Sequence, residues 1–250
     1  MRYFLQIAYR GTAYHGWQVQ HNAVGVQAVI DDCLTRQLGE EIHSIGCCRT
    51  DTGVHAKKLF MHFDLEKELP PNFKFKINSF LPKDIVVQGV YKVPHNFSAR
   101  KDAVKRTYRY YISQEKNPFL IGLAGFVWEP LDIDKMNEAA KQLLQYHDFE
   151  TFSKANSQTE HHLCDMYSAE WHKTDSQIYF EISANRFLRG MVRMIVGTLI
   201  QVGRGNLTAD EFAPLIEKKN RHDAGAAVPA EGLYLWDVLY PEGVLEEIIN

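Results

Sequence analysis

Cysteine is scarce, with four in 250 residues and no Cys-x-x-Cys pair, which excludes a disulfide framework and leaves reduced thiols as the default. Long apolar runs are missing as well. No stretch approaches the ~18 residues of a membrane helix, and Met1-Arg2-Tyr3-Phe4-Leu5-Gln6 lacks the basic flank and apolar centre of a signal peptide. A cytoplasmic protein without membrane contact is expected. The chain has no Gly-x-Gly-x-x-Gly, no phosphate-cradling loop ending in Gly-Lys-Ser/Thr, no His-Glu-x-x-His and no Gly-x-Ser-x-Gly. Nucleotide cofactors, zinc hydrolysis and serine nucleophiles lose most of their support. His161, His162 and Cys164 come nearest to a metal cluster but lack a fourth ligand at usable spacing, so no metal is expected.

An excess of positive charge is also lacking, since the formal net charge is −3, and taken alone this argues against a phosphate-rich partner. The distribution reverses that argument. Ser98 to Lys116 holds six basic residues against two acidic ones, and Ala184 to Gly205 holds four arginines and no acid. Segregation of this kind could make a positive groove on an acidic body, although charge taken alone favours two ordinary solvated faces. What is plentiful is ordinary: 45% hydrophobic and 24% charged residues describe a folded globular chain. A chain of this length reads as one large domain or two small ones.

Tyr3, Leu5, Ile7 and Tyr9 alternate as in a half-buried strand. Arg10 to Gln18, rich in glycine and aromatics, reads as a surface loop. Val26, Val29, Ile30, Cys33, Leu34 and Leu38 recur at helical spacing and stop at Gly39. Strands are expected over Ile42 to Cys48, through Leu59, Met61 and Phe63, and over Ile85 to Val93, with a helix between Pro70-Pro71 and Leu81-Pro82. Lys105 to Ile112 interleaves cations with tyrosines in a further strand. A helix begins at Asp132, strands follow near Tyr167–His172 and Ile178–Ser183, and a helix over about Phe187–Val202 sets Arg186, Arg189 and Arg193 in a stripe opposite its apolar side. Thr208-Ala209-Asp210-Glu211 starts a short helix with a capping box, and Leu233 to Tyr240 is the last strand. Strand, helix, strands, helix, strand occurs roughly twice. This order predicts an α+β fold in two related halves, residues 1–99 and 100–250.

Asp51 stands out among the carboxylates. It lies in a turn between expected strands, Arg49 two residues before it and Gly53 two after, and a neighbouring guanidinium keeps an aspartate ionised as a nucleophile or electrostatic stabiliser requires. An Asp-Thr-Gly turn whose carboxylate merely binds backbone amides accounts for the same residues. Tyr108 either stacks on a nucleobase or packs in the core. Arg193, flanked by Met191, Val192, Met194 and Ile195, is expected to be partly buried and to need an anionic partner. His55 caps or packs.

Arg49-Thr50-Asp51-Thr52-Gly53-Val54-His55-Ala56 resembles the catalytic signature of the TruA family of tRNA pseudouridine synthases, usually Gly-Arg-Thr-Asp-Ala-Gly-Val-His. The resemblance runs in order through most of the chain: Gly11, Tyr14 and Gly16-Trp17-Gln18; Ile77-Asn78 with Leu81-Pro82; Phe97-Ser98-Ala99-Arg100; Arg106-Thr107-Tyr108-Arg109-Tyr110; His147-Asp148-Phe149; Met191-Val192-Arg193 with Val196-Gly197; and Glu231-Gly232-Leu233-Tyr234-Leu235. It implies that Asp51 is the catalytic aspartate, Arg49 the residue that helps displace the target base, Tyr108 the active-site tyrosine and Arg193 the basic partner of the aspartate. It implies a homodimer of two ferredoxin-like or RNA-recognition-like halves whose antiparallel sheets form a central cleft. It implies no cofactor, and substrates at uridines 38, 39 and 40 of the tRNA anticodon arm. Recognition by shape and backbone makes Arg100, Arg106, Arg109, Arg186 and Arg189 candidate phosphate contacts. Cys48 stands where the family usually has glycine and Thr52 where it has alanine. Thr159-Glu160-His161-His162 occupies a stretch where many members carry arginine, so RNA affinity is expected to rise as pH falls. Two rival readings remain at this point: an inactive tRNA-binding relative on the same fold, and a carboxylate glycosidase, which would need a second acid that nothing nearby supplies.

Overall fold

The alternation at the N-terminus forms β1 (Arg2–Tyr9), which buries Tyr3, Leu5, Ile7 and Tyr9 on one face and also encloses Phe4 on the other. Phe4 is covered on that face by the rings of Phe97 and Tyr240, whose centroids lie 5.6 and 5.5 Å from its own. The computed structural model describes residues 1–154, 159–174 and 177–247, and the chain divides into a first unit, Met1–Val104 with Leu235–Asn250, and a second, Lys105–Tyr234.

In the first unit α1 (Val26–Leu38) ends on Gly39, whose φ of 74° gives the left-handed cap that the sequence suggested. β2 is only Ile45–Gly46, shorter than the strand expected over Ile42 to Cys48. Side chains of α1 take the ladder's donors there: the Thr35 hydroxyl accepts from the Ile42 amide at 3.0 Å and Asp31 from the Ser44 amide at 3.3 Å. β3 (His55–Asp64), α2 (Phe73–Phe80) and β4 (Ile85–Val93) follow. β1 pairs antiparallel with β3 and β4, and β2 extends the sheet beyond β3. The Asn78 side chain on α2 accepts from the Val87 amide at 2.7 Å and donates to the Val87 carbonyl at 2.9 Å, occupying both backbone groups that β4 presents there.

The chain then leaves for the second unit and returns. Of β9 (Leu233–Leu239), residues from Leu235 onward belong to the first unit, as does β10 (Glu246–Glu247), which pairs with β4 at Lys92 and Tyr91. Lys58 forms an ion pair with Asp237 at 2.8 Å, and the Tyr240 phenol donates to the Ala99 carbonyl at 2.6 Å while its ring stands edge-on to Phe60 at 5.2 Å. A division at 99/100 assigns these terminal residues to the second half; nonlocal strand pairing, which leaves no local pattern, brings them back to the first.

The second unit is built on β5 (Lys105–Ser113), with the short β6 (Gly125–Phe126) parallel to it and the antiparallel order β5-β8-β7 from β7 (Met166–Lys173) and β8 (Ile178–Ala184). α3 (Ile133–Gln142) begins at Asp132, whose side chain accepts from the Lys135 amide. α4 (Met191–Gly203) and α5 (Ala209–Glu217) complete the unit, and the Thr208–Glu211 capping box forms as its sequence indicated, with Pro214 accommodated inside α5. Asn137 of α3 repeats the clamp of Asn78: it accepts from the Trp171 amide at 2.7 Å and donates to its carbonyl at 3.0 Å on β7. The expected arginine stripe does not form, because Gly190 (φ 72°) starts α4 at Met191 and leaves Arg186 and Arg189 in the preceding loop. Of α4's residues only Arg193 and Gln201 are even partly exposed. Among the described residues no helix is long and apolar enough to cross a membrane.

Candidate active site

Asp51 is held by the loop that leaves β1. Sequence read Arg10 to Gln18 as a surface loop, but Tyr14 is 7% and Trp17 2% exposed. The loop turns inward because its backbone satisfies that of residues 50–54. The Trp17 amide donates to the Thr50 carbonyl at 3.3 Å, the Gly53 amide to the Tyr14 carbonyl at 3.2 Å, and the Val54 amide closes the turn on the Asp51 carbonyl at 3.1 Å. Two glycines permit this approach. A Cβ on Gly11 would lie 1.9 Å from the Val54 carbonyl oxygen, and one on Gly16, at φ +85°, would lie 2.3 Å from that of Thr50.

Side chains finish the support. The buried Tyr9 phenol and Thr50 hydroxyl are 2.8 Å apart, and burial raises the phenol's pKa, so it stays neutral. His55 is buried, its Nδ1 accepting from the Gly11 amide at 2.9 Å; it anchors the loop. The Tyr14 phenol donates to Asp84 at 2.8 Å, and its pKa is raised by burial first and by that carboxylate second. The result is a half-buried Asp51 between an exposed Arg49 and an exposed Thr52, on a turn whose main chain has little freedom. An oriented, partly solvated carboxylate is suited to nucleophilic or base chemistry.

In the second unit Tyr108 lies on β5 opposite Ile182, 6% exposed, with its ring edge-on to Phe187 at 5.1 Å. Tyr110 is more deeply buried and donates to the Pro229 carbonyl at 3.0 Å. Arg193 Nε donates to the Val228 carbonyl at 2.7 Å, and the Val228 amide returns a bond to the Arg193 carbonyl at 3.2 Å. The segment Gly225–Pro229, to which sequence gave no role, is thereby strapped along α4: the Gly225 amide donates to the Thr198 hydroxyl, and a Cβ on Gly197 would lie 1.9 Å from the Ala226 carbonyl oxygen. Small residues at 224–227 and the Val196-Gly197 pair are the only sequence trace of this strap. It aims the Arg193 guanidinium through Nε.

The five candidate phosphate contacts divide by environment. Arg106 is 7% exposed and donates to the Asn185 carbonyl at 2.6 Å. Arg109 Nε bonds Glu181 at 2.6 Å, and the guanidinium lies 4.7 Å from the Tyr179 ring centre. Both are committed within their own sheet. Arg100 and Arg189 are exposed; Arg186 is partly exposed and reaches His161 Nε2 at 3.0 Å and the Thr159 hydroxyl at 3.3 Å. Asp148, Glu150 and His162 offer three ligand atoms within 4.8 Å of one another, but Lys219 already neutralises Asp148 at 2.6 Å. An ammonium at that distance opposes a second cation.

A family model described as tRNA pseudouridine synthase matches residues 139–241. Proteins named tRNA pseudouridine synthase A from Bacteroides fragilis and Bacteroides thetaiotaomicron are each 44% identical over 98% of this chain, covering 98% and 93% of their own lengths. The Staphylococcus aureus protein of the same name is 38% identical over 98% of this chain and 93% of its own length. Likeness sustained from end to end, through the Asp51 turn and α4 alike, makes the chain a member of the TruA family of tRNA pseudouridine synthases.

Proposed function

We propose that the chain isomerises uridine to pseudouridine at positions 38, 39 and 40 of the tRNA anticodon arm, with Asp51 as the catalytic carboxylate. The observation that carries this reading is the locked turn around Asp51 in a chain related over its full length to enzymes of that name. In the reaction the N1 to C1′ bond breaks, uracil rotates, and C5 bonds to C1′. The proton on C5 goes to water and N1 gains one, so nothing is oxidised and no co-reactant is consumed. A carboxylate serves by adding to the sugar, adding to the base, or removing a sugar proton, and each role begins from the ionised form. Uracil leaves its stack first. Arg49, exposed beside Asp51, is assigned to displacing the base, Tyr108 to contacting it, and Arg193 to holding the aspartate's charge.

Each unit reads as a ferredoxin-like half. Support comes from β1-α1-β2-β3-α2-β4 with neighbour order β4-β1-β3-β2 in the first, and from β5-α3-β7-β8-α4 with order β5-β8-β7 in the second. We place the enzyme in the cytoplasm, as a homodimer, with Arg100, Arg186 and Arg189 contacting phosphates. Arg106 and Arg109 then act through the sheet that carries Tyr108.

The test is tritium release from C5-labelled uridine in unmodified tRNA, with carbodiimide mapping of the product. Wild type is expected to modify the anticodon arm, and Asp51→Asn to bind tRNA but release no tritium. Binding without turnover by the wild type would identify an inactive relative. Free uracil as product would identify a glycosidase.

A further inference from the structure

Cys47 and Cys48 follow β2 and lead directly into Arg49, Thr50 and Asp51. Their sulfurs are in contact, the Cys47 thiol donating to Cys48 Sγ at 3.8 Å. On one side the pair is anchored to the sheet. The Cys47 amide donates to the Phe60 carbonyl on β3 at 2.8 Å, and a Cβ on Gly46 would lie 2.4 Å from the Trp17 indole nitrogen. On the other side Thr50 is held by the Tyr9 phenol and by the Trp17 amide. Only Cys48 and Arg49 lie between these anchors, so a change in the geometry of the Cys47–Cys48 peptide passes into the turn that carries Asp51.

The four thiols differ in reach. Cys33, Cys47 and Cys164 are buried, and only Cys48 is partly exposed. Burial pushes the Cys164 thiol up to about 12 and also raises that of Cys33, which keeps both protonated and inert. A soluble oxidant therefore meets Cys48 first, with a second thiol already touching it. An accessible cysteine beside a resolving one is how redox sensors are commonly built.

Adjacent residues are poorly spaced for a disulfide. Their Cα atoms, ~3.8 Å apart across a trans peptide, are closer than the ~4.4–6.8 Å that a relaxed bridge spans, so the bond stores strain and is readily reduced. Such a bond is unsuited to holding a fold together and suited to being made and broken. We propose that Cys47 and Cys48 form a reversible, hydroperoxide-driven disulfide that pulls the Asp51 turn out of its working geometry. In the first step the Cys48 sulfur attacks the peroxide, giving a sulfenic acid and one water. In the second the Cys47 sulfur attacks the Cys48 sulfur, the S–S bond forms, and the hydroxyl leaves with the Cys47 proton as another water. The peroxide gains the two electrons that the thiols lose. An external dithiol reverses the change and itself becomes a disulfide. On oxidation the sulfurs close from 3.8 Å to ~2.05 Å, and the resulting twist falls on the peptide between them. The effect on turnover rests on Asp51 being the catalytic carboxylate, whereas the thiol chemistry is measured without RNA.

The full chain, reduced and then treated with a small excess of hydrogen peroxide, should yield a tryptic peptide Gln37–Arg49 that has lost two hydrogens and takes no maleimide. Tritium release should fall at least about tenfold and recover in dithiothreitol. Hydrogen exchange at the Gly53 and Val54 amides, both bonded within the turn, should quicken in the oxidised protein. Cys48→Ser should keep the turnover of the untreated wild type and lose its sensitivity to peroxide. Cys47→Ser should halt at the Cys48 sulfenic acid, which dimedone captures. Phenylarsine oxide, which exchanges its oxygen for two thiols and releases water, should bind the wild type in one equivalent and neither variant. A wild type that stops at an oxidised Cys48, with Cys47 still open to maleimide after unfolding, overturns the pairing. A bond that forms without change in tritium release or in exchange overturns the coupling to the turn. If the untreated protein releases no tritium while the bond forms and exchange quickens, the enzymatic reading fails and the switch stands.

Discussion

The Tyr9 phenol and the Thr50 hydroxyl share a buried hydrogen bond of 2.8 Å, so the residue before Asp51 is fixed from the strand that opens the chain. Tyr9→Phe leaves the Thr50 hydroxyl buried without that partner, at a cost of about 1–3 kcal/mol. Because the turn loses definition rather than charge, kcat for tritium release should fall while tRNA affinity holds. Urea unfolding and steady-state kinetics of the one variant check both.

Gly16→Ala should be harsher. The added methyl would lie 2.3 Å from the Thr50 carbonyl oxygen at a φ of +85°, so the loop must withdraw from the turn that carries Asp51. We expect activity to fall at least about tenfold, which needs only ~1.4 kcal/mol of lost transition-state stabilisation. Gly39→Ala, where the new Cβ meets nothing within 4 Å, should cost only the left-handed strain, about 1 kcal/mol, and leave turnover intact.

His62 makes stability depend on pH. Its ring is buried under Phe4 and accepts from the Ala99 amide at 3.1 Å, and burial first, then Arg2, lowers its pKa to about 4. A histidine whose folded pKa lies below its unfolded value near ~6.5 favours the native state above that value, and the contribution is lost as pH falls toward about 4. Stability should therefore decline between pH 6.5 and 4 by roughly 2–3 kcal/mol. In His62→Gln that decline should flatten. Below this window Asp64, its pKa lowered chiefly by its hydrogen bond from Arg2, should produce a second, smaller loss as it protonates.

The arginines should separate by what they touch. Replacing Arg186 and Arg189 with alanine should weaken tRNA binding and reduce the slope of log affinity against log salt by up to about two. Arg109→Ala, which removes the Glu181 pair and the Tyr179 stack, should instead lower the melting temperature with little change in slope.

Asn137→Ala uncovers both main-chain groups of Trp171 on β7. Loss of about 1–3 kcal/mol should be accompanied by faster aggregation on warming, since an uncovered edge invites another strand. Light scattering during a thermal ramp reports it.

Features decided within a few residues were legible in the sequence: the Gly39 cap, the Asp132 start of α3 and the Thr208–Glu211 box all formed as read. Those decided across the fold were not. Nothing local shows that Thr35 and Asp31 take the donors of residues 42–44, or that Gly11 and Gly16 let a loop of aromatics turn inward. The arginine stripe failed for a related reason: periodicity continued backward through Gly190, whose left-handed conformation ends the helix there. Asp51 itself carried too little signal within its turn to separate chemistry from a hydrogen-bonded bend. Only the long ordered resemblance nominates it for chemistry.

The route of the chain sets a timetable for synthesis. Because residues from Leu235 belong with the first unit, that unit cannot acquire Asp237 beside Lys58 or Tyr240 against Phe60 until the whole second unit has been translated. At ~5–20 residues per second the wait is on the order of ten seconds. A nascent chain stalled before this point carries every residue of the Asp51 turn but has an open sheet edge, which chaperones can grip. Residues from Leu235 on thus complete a unit whose other strands are translated well before them.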